Sequence, residues 1–216
     1  MKQHLLPRIR LQLAEVNGWE VDGFSSPDNL IEPLGDWQAV MLKRDRFYKY
    51  NIMHINYTTY DIRRGDDVIN TRTSHSNIMM LNSAFAEDPS KHSFCYAHVL
   101  GIFHANVVYL GEKNLDYCPQ RLEFLWVRWY CIKAGVQSGW KALKPDRVHF
   151  PLMAGNLDAS GFLDPADVLR GCHIIPAFCQ GQVHPNGKPF SGIAQDQNDW
   201  FSYYINQFVN VIGFHV

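Results

Sequence analysis

Charge of one sign is what this chain lacks most plainly. It holds 20 basic and 21 acidic residues among 216, a formal net charge of -1. That excludes the basic excess with which a dedicated nucleic-acid binder neutralises phosphates, and leaves room only for a local basic face. No run reaches the roughly 18 consecutive apolar residues that a membrane-spanning helix needs. The opening MKQHLLPRIRLQLAEV interleaves charge with apolar residues, where a signal peptide would carry an unbroken apolar segment. Cysteine is sparse: Cys95, Cys118, Cys131, Cys172 and Cys179 are odd in number and form no C-x-x-C pair. Neither a disulfide framework nor a zinc ribbon fits, and reduced, packed thiols do. A soluble intracellular protein of nucleus or cytosol, with no membrane partner, is expected. The chain also has no Walker A loop, no G-x-G-x-x-G, no G-x-S-x-G elbow, no internal repeat and no low-complexity segment, so no cofactor is expected.

What is present is apolar and aromatic. The chain is 46% hydrophobic and 13% aromatic, enough to bury a core in one domain of ordinary size with appended segments. Residues 1–16 place Leu5, Leu6, Ile9, Leu13 and Val16 at helical spacing, with Pro7 near the start. This stripe needs a surface, either on this chain or on an upstream neighbour of which it is the tail. Residues 17–36 carry Gly18, Gly23, Pro27, Pro33 and Gly35, the chemistry of a linker. The division is therefore an N-terminal helix and linker over 1–36 and a β-rich domain over 37–216.

Within that domain WQAVMLKRDRFYKYN has no clear period. MHINYTTYDI reads as a strand, RRGDD as a turn at Gly65, SNIMMLN as a short strand and AEDPSKH as a loop. SFCYAHVLGIFHANVVYL is the clearest strand, with Tyr96, His98, Leu100, Ile102 and His104 on one face, Ala97, Val99 and Phe103 on the other, and Gly101 as a bend. RLEFLWVRWYCI alternates as cleanly and pairs with it antiparallel. WKALKPDRVHF, CHIIPAF and DWFSYYINQFVNVIGF hold further strands. FLDPADVLRGCHII carries helix signals: Asp164 as N-cap, Pro165 at the first position and Gly171 at the end. The expected fold is mainly β with short helices (α+β), a small curled antiparallel β-barrel of BAH or SH3-like type with an N-terminal helix.

Four clusters are candidates for chemistry. Asp61, Asp66 and Asp67 could hold a divalent cation, but Arg63 and Arg64 neutralise them and the spacing is not an EF-hand, so a solvated turn with surface ion pairs is the plainer reading. Cys172, His173, Cys179 and His184 match no familiar zinc module. His98 and His104 would stand ~20 Å apart on one strand face, too far to share an ion. Trp126, Trp129, Tyr130 and Trp140 crowd together beside Arg128 and Lys141. They suit core and edge packing, or a surface that stacks a base or cages a peptide side chain.

HINYTTYDIRRGDDVINTRT, SNIMML, CYAHVLGIFHANV, LEFLWVRWY, GFLDPADVLRGCHIIPAF and DWFSYYINQFV occur here in order. Together, from about His54 to Val211, they resemble the C-terminal region of transposase-like proteins of fungal, mostly basidiomycete, Plavaka elements of the CACTA (EnSpm) superfamily. HLLPRIRLQL resembles the segment joining that region to the transposase body. The resemblance implies that the RNase H-like catalytic domain, with its metal-binding acidic triad, lies upstream, so no catalytic residue is carried over and no cleavage is expected of this chain. NVIGFHV stands where the family leads one to expect a longer basic, glycine-rich tail. YAHVLGIFHANV and LEFLWVRWY also resemble, by pattern alone, a bromo-adjacent homology barrel. The function expected is a non-catalytic accessory domain serving a transposase, with the transposase body, another protein, chromatin or DNA as partner. Its candidate contact residues are Arg63, Arg64, Trp126, Arg128, Trp129, Trp140 and Lys141. The alternatives are a metal-dependent enzyme built on the Asp or Cys/His sets, and a degenerate element product.

Overall fold

The structure, a computed structural model, describes residues 1–17, 36–58, 64–88, 90–111, 117–133, 135, 144–151, 159–189, 192, 194 and 196–206. Residues 18–35 of the linker expected over 17–36, Asp61, Arg63, Trp140, Lys141, the side chain of Val16 and the end of the last expected strand lie outside the described residues. The elements in chain order are α1 (Lys2–Asn17), a 3-10 turn (Asp36–Ala39), β1 (Val40–Tyr50), β2 (Ile52–Thr58), β3 (Arg64–Asn70), β4 (Asn77–Leu81), α2 (Ser83–Glu87), β5 (Phe94–Tyr109), β6 (Gln120–Ile132), β7 (Arg147–His149), β8 (Ser160–Leu163), β9 (Val168–Gly171), β10 (Ile174–Pro176) and β11 (Tyr203–Ile205), with further 3-10 turns between the late strands. The chain is mainly β, with curled antiparallel sheet and an N-terminal helix, as its alternating segments predict.

Two compact units divide it: Met1–Lys49 with Phe103–Phe124, and Tyr50–Ile102 with Leu125–Val216. In the first, Leu5, Leu6, Ile9 and Leu13 of α1 are buried, as are Val40, Ala105, Val107, Leu122 and Phe124. Burying each such side chain is worth ~1.5–3 kcal/mol, so the stripe on α1 finds its cover on this chain. Arg8 donates to the Glu123 carbonyl and Arg10 Nε to the Tyr109 hydroxyl at 3.0 Å, which ties the helix to β6 and β5. Pro7 stands inside the helix and removes a single ladder bond, the one its missing N–H would make to Gln3.

In the second unit β8, β6, β5, β4 and β9 are successive hydrogen-bonded neighbours. Laid flat, these five strands would hold β8 and β9 ~19 Å apart, at ~4.8 Å per pair. Only Asp164–Asp167 join the two, and Pro165–Asp167 of that link is a compact 3-10 turn. The sheet must therefore curl until its edges approach, and the concave side fills with Ile69, Ile78, Ala97, Val99, Ile102, Leu125, Val127, Leu163 and Val168. Ile102 shares this core with Ala97 and Val99, which strict alternation forbids; the phase of β5 changes across Leu100 and Gly101. From the end of β6 the sheet continues through β7 and β11 to β10, with a second core of Met79, Tyr96, Val148, Cys172, Ile174, Tyr203 and Ile205.

Two expectations are corrected. Asp164 does cap, accepting from Ala166 N–H at 2.9 Å, but the helix stops after one 3-10 turn and Val168–Gly171 is strand β9. Val168 is buried in the barrel core and β9 pairs with β4, so packing and ladder bonds outweigh the cap signal. Gly65 is not in a turn but inside β3, opposite Tyr57. An added Cβ there would lie 2.8 Å from the Tyr57 ring, which is why the position takes glycine.

Candidate functional site

The nominated residues that are described, Arg64, Trp126, Arg128 and Trp129, do not form one exposed patch. Arg64 is exposed on β3. Trp126 is half-buried on β6 opposite Phe162 of β8. Trp129 packs on the barrel core, and its indole Nε1 comes within 2.9 Å of where a Cβ on Gly161 would stand. Arg128 is 2% exposed and is no surface residue at all. The reason is a partner far along the chain: Asp199 accepts from Arg128 Nη2 at 2.7 Å and Nη1 at 3.3 Å, and the Ala194 carbonyl accepts from Nη1 at 3.1 Å. A guanidinium tolerates burial when its fork is matched in this bidentate way.

Around Arg128 lies an extended polar and aromatic network. Its guanidinium sits 3.7 Å over the Phe150 ring, and Phe150 stacks on Tyr130 at 4.1 Å. The Tyr130 hydroxyl donates to Asn77 Oδ1 at 3.2 Å, and His98 Nδ1 lies 3.0 Å from the same oxygen and 3.3 Å from Ser76 Oγ. Burial, reinforced by the Arg128 charge, pushes His98 down to about 4. Burial pushes Tyr130, Tyr203 and the Cys172 thiol up, and raises Asp199 against the pull of Arg128. Every tyrosine and cysteine shift here favours the protonated form. That is the reverse of what a thiolate or phenolate nucleophile needs.

Other polar contacts join strands and loops of the second unit. Asp67 accepts from Arg170 Nε at 2.7 Å and from Gly171 N–H at 2.9 Å, while the Arg170 guanidinium lies 3.5 Å from the Tyr57 ring centre. This clamps the β2–β3 ribbon to β9. Asp66 faces His54 at 2.9 Å on the surface. Buried Asp146 accepts from His92 Nε2 at 3.0 Å and Nδ1 of that ring lies 2.9 Å from the Phe94 carbonyl, so both nitrogens are engaged; the Asp146 hydrogen bond raises the His92 pKa. Cys172 is buried and Cys179 exposed, and His184 approaches Asp196 at 3.7 Å. Among the described residues, no group of three or more His, Cys, Asp or Glu side chains is gathered to hold a metal ion.

A different element carries free chemistry. In β1, Val40 and Leu42 are buried, and every residue from Lys43 to Tyr50 is exposed. Lys43, Arg44, Arg46 and Lys49 against Asp45 give a local charge of +3, four positive less one negative, which leaves the rest of the chain at -4. None of the four cations has an ion-pair partner among the described residues. Arg44 and Asp45 adopt φ of 61° and 52°. Two successive left-handed residues break the pleat and cost of order 1 kcal/mol or more at Arg44. Such strain collects where a segment must present particular side chains.

Between the cations stand two rings held from behind. Phe47, 52% exposed, meets Phe103 edge-on at 5.3 Å and Phe124 at 6.5 Å. Tyr48, 45% exposed, stacks on His104 at 4.7 Å with 13° between planes. Burial and Arg121 keep His104 below its ordinary pKa, so at neutral pH the stack rests on an uncharged imidazole. The sequence signal for this ribbon is its missing period: with neither face buried, KRDRFYKY has no reason to alternate between apolar and polar.

Set beside family models, curated proteins and solved structures, the chain matches none of them.

Proposed function

We propose that the chain is a non-catalytic, transposon-derived accessory domain that holds nucleic acid for a transposase through β1. The six ordered strings described above support the transposon origin. The same resemblance puts the acidic catalytic triad in another region of such proteins. The binding reading is carried by one observation: Lys43, Arg44, Arg46 and Lys49 stand unpaired among the described residues on a ribbon that also exposes Phe47 and Tyr48. Unpaired cations on a chain that is otherwise acidic are placed for an anionic partner, since such cations neutralise phosphates and release the counterions condensed on them. Charged edge strands also serve to prevent edge-to-edge association. That role alone would not expose aromatic rings, which promote the very contact a guard should prevent.

The test is fluorescence anisotropy of labelled 20-nucleotide DNA, single-stranded and duplex, titrated with the purified chain at low salt. The quadruple variant Lys43→Ala/Arg44→Ala/Arg46→Ala/Lys49→Ala is expected to bind at least ~10-fold more weakly, through the loss of phosphate contacts. Arg64→Ala, on the other unit, is expected to leave affinity as it is. Absence of binding by the wild-type chain would end this reading and turn attention to histone peptides and to the transposase body.

A further inference from the structure

We infer that β1 selects single-stranded over duplex nucleic acid, its bases stacking on Phe47 and Tyr48 and its phosphates lying on the flanking cations. The inference rests on the proposed role of β1 in nucleic-acid binding and deepens it. In a strand, side chains two residues apart share a face and stand about 6.6 Å from each other. From Arg46 onward β1 therefore pairs Arg46 with Tyr48 on one face and Phe47 with Lys49 on the other, so each face offers one ring and one positive charge. A duplex keeps its base faces inside its own stack and presents only phosphates and groove edges, for which an exposed ring is of no use. An unpaired strand presents both a π-face and a phosphate at each nucleotide, and that is the combination β1 matches.

Preorganisation supports the same reading. Phe47 is fixed edge-on by Phe103 and Phe124, and Tyr48 lies flat on His104. Rings already held in place lose little freedom when a base lands on them. An acidic peptide would satisfy Arg46 and Lys49 but would leave both rings without a stacking partner.

The experiment compares a 12-nucleotide oligo-dT, the same strand with abasic sites, a 12-base-pair duplex and polyglutamate of equal charge, against wild type, Phe47→Leu and Tyr48→Leu. Leucine keeps apolar volume against Phe103 and His104 while deleting the ring, and far-UV circular dichroism of each variant verifies the fold. The abasic strand gives an answer that needs no variant. Tighter binding of oligo-dT than of the abasic strand and the duplex is expected, with a loss of roughly five- to hundredfold for each ring removed. Equal affinity for oligo-dT, abasic strand and duplex would overturn the single-strand inference while leaving β1 as a phosphate-binding element. Equal affinity for polyglutamate, or no binding to any probe, would overturn the inference and the nucleic-acid reading together.

Discussion

Arg128→Met is expected to destabilise the second unit by ~3–5 kcal/mol, the cost of leaving a buried charge without its partner. For a chain of this length that lowers Tm by ~6–20 °C. The loss does not come from the missing attraction alone. Asp199 stays 9% exposed beside Tyr203, with its carboxylate turned toward a cation that is no longer there. Adding Asp199→Leu should therefore recover at least ~2 kcal/mol, because an apolar pair of similar volume removes the desolvation penalty of both ions. Denaturant unfolding of wild type, the single variant and the double variant reads this directly. A double variant less stable than Arg128→Met would show that the contact with Ala194 and the stacking on Phe150, rather than the ion pair, make Arg128 necessary.

The second large effect is pH-dependent. His98 titrates at about 4 in the folded chain, against 6.5 for an unperturbed imidazole. Between those values the unfolded chain takes up a proton that the folded chain refuses. The stability present above pH 6.5 is thus lost as pH falls toward 4, by ~3 kcal/mol in all. The groups facing His98 are Ser76 just before β4, Asn77 of β4, Arg128 of β6 and Phe150 after β7, and of these only Arg128 is charged. His92 acts in the opposite direction and on the other side of 6.5. Its pKa is raised by Asp146, so its contribution is complete below 6.5 and fades as pH rises through the raised value. Urea unfolding of wild type and His98→Gln from pH 7 to 4 isolates the His98 part as the difference between the two slopes. Parallel slopes would mean that His98 takes up its proton as readily in the folded protein as in the unfolded chain, and that the Asn77 network is arranged differently.

The fold was largely legible because its longest strands have one face or both in a core. Ala97, Val99, Leu125 and Val127 declare β5 and β6 through period-2 alternation, and Leu5, Ile9 and Leu13 declare α1 through helical spacing. Where local and long-range signals competed, the local one misled. Asp164 and Pro165 are sound cap residues, yet Val168 is drawn into the barrel core and extends the chain into β9. Arg128 looked like a surface cation beside tryptophans, since nothing near it in sequence betrays Asp199, 71 positions on. The β1 ribbon is silent in the sequence for the opposite reason. Its side chains from Lys43 onward are exposed, so no periodicity marks them, and its interest appears only once Lys43, Arg44, Arg46 and Lys49 are known to be exposed and without an ion-pair partner among the described residues.

The most direct test of the account is the salt dependence of binding to single-stranded DNA, measured for wild type and for Arg46→Ala/Lys49→Ala. Each phosphate contact on a single strand contributes ~0.7 to the slope of log affinity against log salt concentration. The account predicts that removing these two cations makes the slope shallower by ~1.4. Identical slopes for the two proteins would contradict it, because Arg46 and Lys49 would then touch no phosphate and β1 would not be the nucleic-acid interface.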